Sequence, residues 1–242
     1  MNKWIIFSYG IIAYIIALIG QIWLILYIGE WDFLSQSINA SQETSSIIAL
    51  AIDSGLILLF GLQHSIMARS WFKKWLTLFI PKVAERSTYV LFSGITLILM
   101  AYFWQPIDGY VWQVENETAG TLLTFGYLFG WSLSVFATFV INHFELFGLQ
   151  QVYFYLIGKK EKEIAFTERL LYKYIRHPIQ LGVLIGIWFT PTMTYGHLFL
   201  SFGLTIYIFI GLYYEEKSLI AELGDIYQEY KKRIGMLFPF LK

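Results

Sequence analysis

The stretch YKYIRHPIQLG, from Tyr172 to Gly182, stands at the boundary between a charged segment and a short apolar one. The apolar run that follows, Ile179–Thr190, has twelve residues. As a helix it rises only about 18 Å, whereas the hydrocarbon core of a bilayer is about 30 Å thick. The turn formers Pro191 and Gly196 then lead into a second apolar run, Tyr195–Tyr214. The two runs are therefore predicted to form a helical hairpin with one short arm.

The composition places the whole chain in a membrane. Of its 242 residues, 57% are hydrophobic and 14% are charged, whereas soluble domains carry about 25% charged residues. Further apolar runs long enough to approach or span a bilayer are Trp4–Ile28, Ile47–Met67, Tyr89–Pro106 and Gly120–Asn142. The sequence predicts an all-α integral membrane protein with five to six transmembrane helices. No linker or internal repeat divides it, so residues 1–242 are predicted to form one domain.

The charges predict the orientation. All 17 Lys and Arg residues lie before residue 4 or in segments 68–88, 143–178 and 215–242. The alternating segments 29–46, 107–119 and 191–194 contain no Lys or Arg, and the first two contain Asp and Glu. Cytoplasmic loops carry an excess of Lys and Arg. Both termini, including the C-terminal tail, are therefore expected in the cytoplasm.

The predicted hairpin brings distant charged residues to one level of the membrane. Arg176 and His177 precede its first arm, and Glu215 and Glu216 follow its second arm. Arginine can pair with a ligand carboxylate, and a glutamate accepts hydrogen bonds from hydroxyl or amino groups. His143, at the cytoplasmic end of the fourth run, belongs to the same level, although interfacial anchoring also explains it.

Asp53 and His64 are polar residues in the second apolar run. They are eleven positions apart, which is within about 20° of three full helical turns. They therefore share one helix face, about 16 Å apart. A carboxylate at this depth is costly unless it is paired or hydrated. Packing contacts, a catalytic role, and a proton or ion path in a transporter-like protein all remain open for this pair.

Several other functions are disfavoured. A net charge of zero argues against a nucleic-acid partner, and the absence of cysteine excludes disulfides and thiolate metal sites. The four histidines lack the i, i+4 spacing of a helical zinc site, so no metal is expected. The chain also contains neither a phosphate-binding loop nor a dinucleotide-binding glycine motif.

The C-terminal third resembles a known group of membrane enzymes. RHP…LG followed by EEKSLIAELGDIYQEYKKRIGMLFP is similar to the signature of the isoprenylcysteine carboxyl and phospholipid methyltransferases. In that group, the RHP and paired-glutamate segments form the S-adenosylmethionine pocket. The group often has an aromatic residue where this chain has Gln180, so the resemblance implies no ring contact at that position.

Longer blocks resemble one branch more closely. QHSIMARSWFKKW, PKVAERSTYVLFSG, YKYIRHP and WFTPTMTYGHLFL are similar to segments of the bacterial methanethiol S-methyltransferases. The NnrU-like membrane proteins share the QHS region and are the main alternative. The resemblance implies transfer of a methyl group from S-adenosylmethionine to methanethiol, giving dimethyl sulfide. Two alternatives stay open. The chain could be an enzyme of the wider group with a larger acceptor, or a non-enzymatic membrane protein.

The resemblance also implies a division of the chain. Residues 1–142 are expected to form four transmembrane helices, and residues 143–242 are expected to form the cofactor-binding half. The implied cofactor pocket consists of Gln150, Tyr172, Arg176, His177, Pro178, Gly182, Glu215, Glu216 and Tyr227. The candidates for the reacting end are His64, His143 and Asp53. His64 is the preferred base because it lies at the predicted level of the cofactor, whereas Asp53 lies deeper.

The charge pattern generates a test of orientation. Cysteines introduced singly at Lys160 and Glu117 should react with an impermeant thiol reagent from opposite sides of sealed membranes, because these positions lie in segments of opposite charge bias. The chain has no native cysteine, so the labelling background is low. Labelling of both positions from the same side would contradict the orientation.

Overall fold

The computed structural model of the chain describes residues 2–31, 33–41, 44–160 and 168–239. Within these ranges it contains ten α-helices and two short β-strands. The helices are α1 Lys3–Ile28, α2 Ser46–Met67, α3 Ser70–Leu76, α4 Glu85–Phe103, α5 Glu117–Ile141, α6 His143–Leu146, α7 Leu149–Ile157, α8 Pro178–Trp188, α9 Tyr195–Leu223 and α10 Asp225–Arg233. The strands are β1 Tyr110–Gln113 and β2 Thr192–Thr194, which pair with each other.

Five of the described helices are long and apolar enough to cross a membrane: α1, α2, α4 with its preceding 3₁₀ turn, α5 and α9. Helix α8 is apolar but has only 11 residues, a length of about 16 Å. The prediction of an all-α, multi-pass membrane protein with one short helical arm is confirmed. The outward faces of these helices carry large apolar side chains, such as Ile12, Ile19 and Phe125, which suit contact with lipid.

The described residues form two compact units. The first contains α1 to α4, α6, α7 and the beginning of α9. In this unit α1 packs along α4 through small residues: a Cβ added to Gly94 would lie 2.5 Å from the Cα of Ala17. Small residues at such crossings let two helix backbones approach closely, which is a common way to pack helices in membranes.

The second unit contains α5, α8, most of α9, and α10. Helix α8 packs against α5 on one side and against α9 on the other. The hydroxyl of Ser201 in α9 donates to the carbonyl of Ile187 at 2.9 Å, and the indole of Trp188 donates to Thr205 at 2.9 Å. Helices α8 and α9 are thus the two arms of the hairpin that the sequence predicts.

Helix α9 differs from the prediction at both ends. Gly196 lies inside its first turn and not in the connecting turn, because β2 makes that connection. The prediction of a turn at Gly196 is therefore wrong. At the other end α9 continues past Tyr214 to Leu223, and Gly224, with φ of +59°, separates it from α10. Hydropathy marks where a chain leaves the membrane, whereas a helix ends where the backbone conformation changes.

The contact between α5 and α8 depends on glycine. A Cβ added to Gly182 would lie 2.5 Å from the carbonyl oxygen of Gly130 and 2.5 Å from the backbone nitrogen of Ser134. Backbone atoms cannot move aside as a flexible side chain can. The two helices would have to separate to accommodate any larger residue at this position.

Gly182→Ala should therefore destabilise the second unit. Overpacking costs about 1–3 kcal/mol, and each kcal/mol shifts the midpoint of a chain of this size by about 2–4 °C. We expect the thermal midpoint in detergent to fall by about 2–12 °C. Gly211→Ala is the matched control, because nothing lies within 4 Å of its added Cβ. Equal midpoints for the two variants would contradict the packing role of Gly182.

Candidate active site

The site in the second unit begins with the backbone around Pro178. Proline is favoured in the first turn of a helix because its missing N–H would have no helical partner there. It also keeps the preceding residue out of the helical conformation, and His177 has φ of −127° and ψ of 63°. Pro178 thus starts α8 and sets the backbone conformation of His177. Gly182, one turn further on, contacts α5 as described above.

The carboxylate of Glu216, near the end of α9, is the centre of the site. Its Oε1 lies 2.8 Å from Nη2 of Arg176 and 3.2 Å from Nε2 of His177. Its Oε2 lies 2.6 Å from Nζ of Lys231. Glu216 is only 3% exposed. A buried carboxylate is costly unless it is paired and hydrogen-bonded, and this one meets that condition.

Arg176 connects this carboxylate to the C-terminal tail. Its Nη1 donates to the carbonyl oxygens of Lys231, at 2.8 Å, and Ile234, at 3.0 Å, while its Nη2 contacts Glu216. The side chain is almost completely buried. A cation is favourable at the C-terminal end of a helix, where carbonyl groups lack helical partners. In this arrangement Arg176 holds the end of α10 and positions Glu216.

The backbone after α10 completes the connection to the RHP motif. The N–H of Arg176 donates to the carbonyl of Gly235 at 3.0 Å, and the N–H of His177 donates to Met236 at 3.1 Å. The hydroxyl of Tyr230 also donates to the carbonyl of Tyr172 at 2.6 Å. The chain around Arg176 and His177 is therefore fixed by main-chain hydrogen bonds as well as by its side chains.

Glu215 lies beside the buried carboxylate and is much more accessible. Its side chain is 48% exposed, and its Oε2 lies 3.9 Å from Nδ1 of His177 and 3.4 Å from Nε2 of Gln180. The imidazole of His177 thus lies between the carboxylates of Glu215 and Glu216. Gln180 contributes an amide donor to Glu215.

Two tyrosines add phenol groups to this region. Burial, with a contribution from Glu215, raises the pKa of Tyr172 above its usual range. Burial, with a contribution from Glu216, does the same to the pKa of Tyr227. Both phenols therefore stay protonated near neutral pH and can donate hydrogen bonds.

The three residues expected at the reacting end belong to the first unit, with separate partners. Oδ1 of Asp53 accepts a hydrogen bond from the backbone N–H of Gln105 at 2.9 Å, just beyond the end of α4. Asp53 is completely buried. This contact ties α2 to the chain that leaves α4.

His64 lies between two hydroxyl groups of α4. Its Nε2 is 2.6 Å from the hydroxyl of Tyr89, and its Nδ1 is 3.1 Å from Ser93. His143 is buried in the first unit, with Nε2 2.8 Å from the hydroxyl of Tyr14, and burial lowers its pKa. Both imidazoles thus have hydroxyl partners that can take part in proton transfer.

Gln150 also lies in the first unit, in α7. It lines a groove whose other members are apolar or aromatic: Phe7, Ile11, Phe144, Leu149, Tyr153 and Phe154. Of the nine residues expected around the cofactor, the structure thus places eight in the second unit and Gln150 in the first.

Lys231 and the carbonyl groups of the tail are parts of the site that the sequence did not indicate. The basic run of Lys231, Lys232 and Arg233 is visible in the sequence, but there it predicts only a cytoplasmic charge excess. In the structure these three side chains have different partners. Lys231 contacts Glu216, whereas Lys232 pairs with Glu229 and Arg233 pairs with Glu168.

The arrangement in the second unit suits a polar ligand that carries charges of both signs. It combines cations, carboxylates, an imidazole and protonated phenols, with Glu215 and Lys231 at the accessible edge. Such groups can bind an amino-acid moiety and hydroxyl groups through charge-assisted hydrogen bonds.

Comparisons with known proteins identify the family. Methanethiol S-methyltransferase 1 of Bradyrhizobium diazoefficiens is 44% identical over 239 residues, covering 98% of this chain and 83% of that protein. Methanethiol S-methyltransferase of Crocosphaera subtropica is 39% identical over 241 residues, covering 100% and 94%. Nurim of Sus scrofa is 33% identical over 177 residues, covering 70% and 67%. No family model matches the chain, and no solved structure does.

The resemblance found in the sequence is thus confirmed by relatives that align along nearly the whole chain, and the more distant similarity to nurim agrees with a membrane protein. The chain belongs to the family of the methanethiol S-methyltransferases.

Proposed function

We propose that this protein methylates methanethiol to dimethyl sulfide, using S-adenosylmethionine as the methyl donor, at the cytoplasmic side of a bacterial inner membrane. The observation that carries the proposal is the 44% identity to a methanethiol S-methyltransferase over 98% of the chain.

The polar cluster of the second unit supports the choice of donor. When bound, S-adenosylmethionine supplies a methyl group on a positively charged sulfur, together with an amino acid and an adenosine. Glu215 and Lys231 present accessible charges of opposite sign, which suit the amino-acid end. The protonated phenols of Tyr172 and Tyr227 add polar groups to the same region. These residues bind and orient the donor, and Arg176 and Glu216 hold them in place.

The charge pattern of the chain supports the cytoplasmic placement. Arg176 and His177 end a segment that contains six Lys and Arg residues, 143–178, and Glu215 begins another that contains five. Such segments stay on the cytoplasmic side. A charged donor reaches the site from the cytosol, whereas a small apolar thiol can also arrive through the bilayer.

Thiol activation requires a proton acceptor. The thiolate is the nucleophile, and even a cysteine thiol has a pKa of about 8.5. We assign proton acceptance to His64, with the hydroxyls of Tyr89 and Ser93 orienting its ring. The rate of methyl transfer rises further when the thiol and the methyl donor are held in the reactive orientation and water is excluded.

The function is tested on membranes that contain the protein. Methanethiol and S-adenosylmethionine together should yield dimethyl sulfide in the headspace and S-adenosylhomocysteine in solution, and omission of either substrate should abolish both products. Formation of S-adenosylhomocysteine only with prenyl thiols or phospholipids would replace the proposal with a larger acceptor. Failure to form it with any acceptor would contradict the enzymatic function.

The same assay tests the role of the buried carboxylate. Hydrogen bonds to charged groups are worth about 1.5–3 kcal/mol, or roughly a 10- to 150-fold change in affinity. Glu216→Gln should therefore raise the KM for S-adenosylmethionine by about that factor. Glu222→Gln, at an exposed position of the same helix, is the control and should leave KM unchanged. An unchanged KM in folded Glu216→Gln protein would remove Glu216 from the donor site.

The pH dependence of turnover tests the base. General bases contribute typically about 10²–10⁴-fold. His64→Ala should lower kcat with little change in donor affinity, and raising the pH should partly restore kcat, because more of the thiol then ionises without help. His143→Ala is the comparison and should keep the wild-type pH profile. Near-normal turnover of His64→Ala at neutral pH would contradict this assignment and make His143 the next candidate.

A further inference from the structure

The contact with Glu216 does not use all of the hydrogen-bond donors of Lys231. Its Nζ lies 2.6 Å from Oε2 of Glu216, yet 42% of its side chain is exposed, against 4% for Glu216. An ammonium group has three N–H donors. One donor directed at Glu216 leaves two for groups that approach from the accessible side.

The charges around Glu216 do not cancel. One carboxylate contacts two permanent cations, Arg176 and Lys231. The guanidinium of Arg176 is buried, and its two Nη atoms contact Glu216 and the carbonyl oxygens at the end of α10. The surplus positive charge is therefore accessible mainly at Lys231.

Glu215 supplies a second half-exposed charge, of opposite sign. Glu215 is the neighbour of Glu216 in α9, and its half-exposed carboxylate approaches Nδ1 of His177. The contacts run from Lys231 to Glu216, from Glu216 to His177, and from His177 to Glu215. A cation and an anion are thus linked through one buried carboxylate and one imidazole. An α-amino acid carries charges of both signs, because its carboxylate and its ammonium group are attached to the same carbon, and it can use a cation and an anion of this kind.

We propose that the ammonium of Lys231 binds the α-carboxylate of the methyl donor, while Glu215 accepts a hydrogen bond from the donor's α-ammonium group. Lys231 is then a specificity-determining residue, which selects a donor that retains its carboxylate. The inference rests on the proposed function, because it assumes that S-adenosylmethionine is the donor.

The experiment compares two donors that differ only in this carboxylate. Calorimetric titrations with S-adenosylmethionine and with decarboxylated S-adenosylmethionine are carried out on the wild-type protein and on Lys231→Met, which keeps an apolar stem of similar length. The wild type should bind S-adenosylmethionine about 10-fold more tightly than the decarboxylated form, as expected for one charge-assisted hydrogen bond. Lys231→Met should lose this preference by weakening only the binding of S-adenosylmethionine.

Two further variants separate binding from structure. Lys232→Met is the matched control, because Lys232 lies on the same helix but pairs with Glu229, and it should keep the wild-type preference. Lys231→Arg keeps the positive charge and should retain most of the preference. It also tests the proposal if Lys231→Met does not fold.

The possible results separate the role of Lys231 from the proposed use of S-adenosylmethionine as the donor. Equal weakening of both donors by Lys231→Met would show that Lys231 acts only through Glu216, and would overturn the inference while leaving the donor in place. A wild type that binds the two donors equally would also overturn it. A wild type that binds neither would contradict the proposed function itself.

Discussion

The second unit depends on one buried carboxylate, that of Glu216. Removing an ion from water costs several kcal/mol even in a real protein, so Glu216 stays buried only with its partners in place. Those partners come from two other parts of the chain: Arg176 and His177 precede α8, and Lys231 lies in α10. Loss of Glu216 would leave the buried guanidinium of Arg176 without its carboxylate, and breaking a buried pair in this way typically costs about 3–5 kcal/mol. The interaction therefore joins the RHP motif, the end of α9 and the C-terminal tail into one structure.

Close packing of α8 on α5 places the RHP motif correctly for this interaction. Gly182 and Gly130 allow backbone contact between the two helices, so the position of α8 is determined by main-chain atoms. Pro178 then fixes where α8 begins, and with it the direction of the chain at His177. A short helix suits this task, because its N-terminal end must meet the C-terminal part of α9, which continues well past the apolar run. The membrane-spanning architecture thus determines the geometry of a polar site.

The sequence predicted the membrane helices and the hairpin because both depend on long apolar runs, a local and strong signal. It also placed Arg176, His177, Glu215 and Glu216 at one membrane level, and the structure brings these four residues together. It did not predict the continuation of α9 to Leu223, because polarity increases where the helix leaves the membrane. It did not single out Lys231 either, since three adjacent basic residues look equivalent until α10 turns one of them toward Glu216. The periodicity of apolar residues does not show which residues are buried or which distant segments pair with each other.

We propose that the cluster around Glu216 holds the methyl donor. The most direct measurement is ultraviolet cross-linking of radiolabelled S-adenosylmethionine to the full-length protein in membranes, followed by mapping of the labelled peptides. We expect label in the peptides that contain residues 172–182 and 213–236, and loss of that label when unlabelled donor is added in excess. Competable label confined to peptides from α1 to α4 would contradict it.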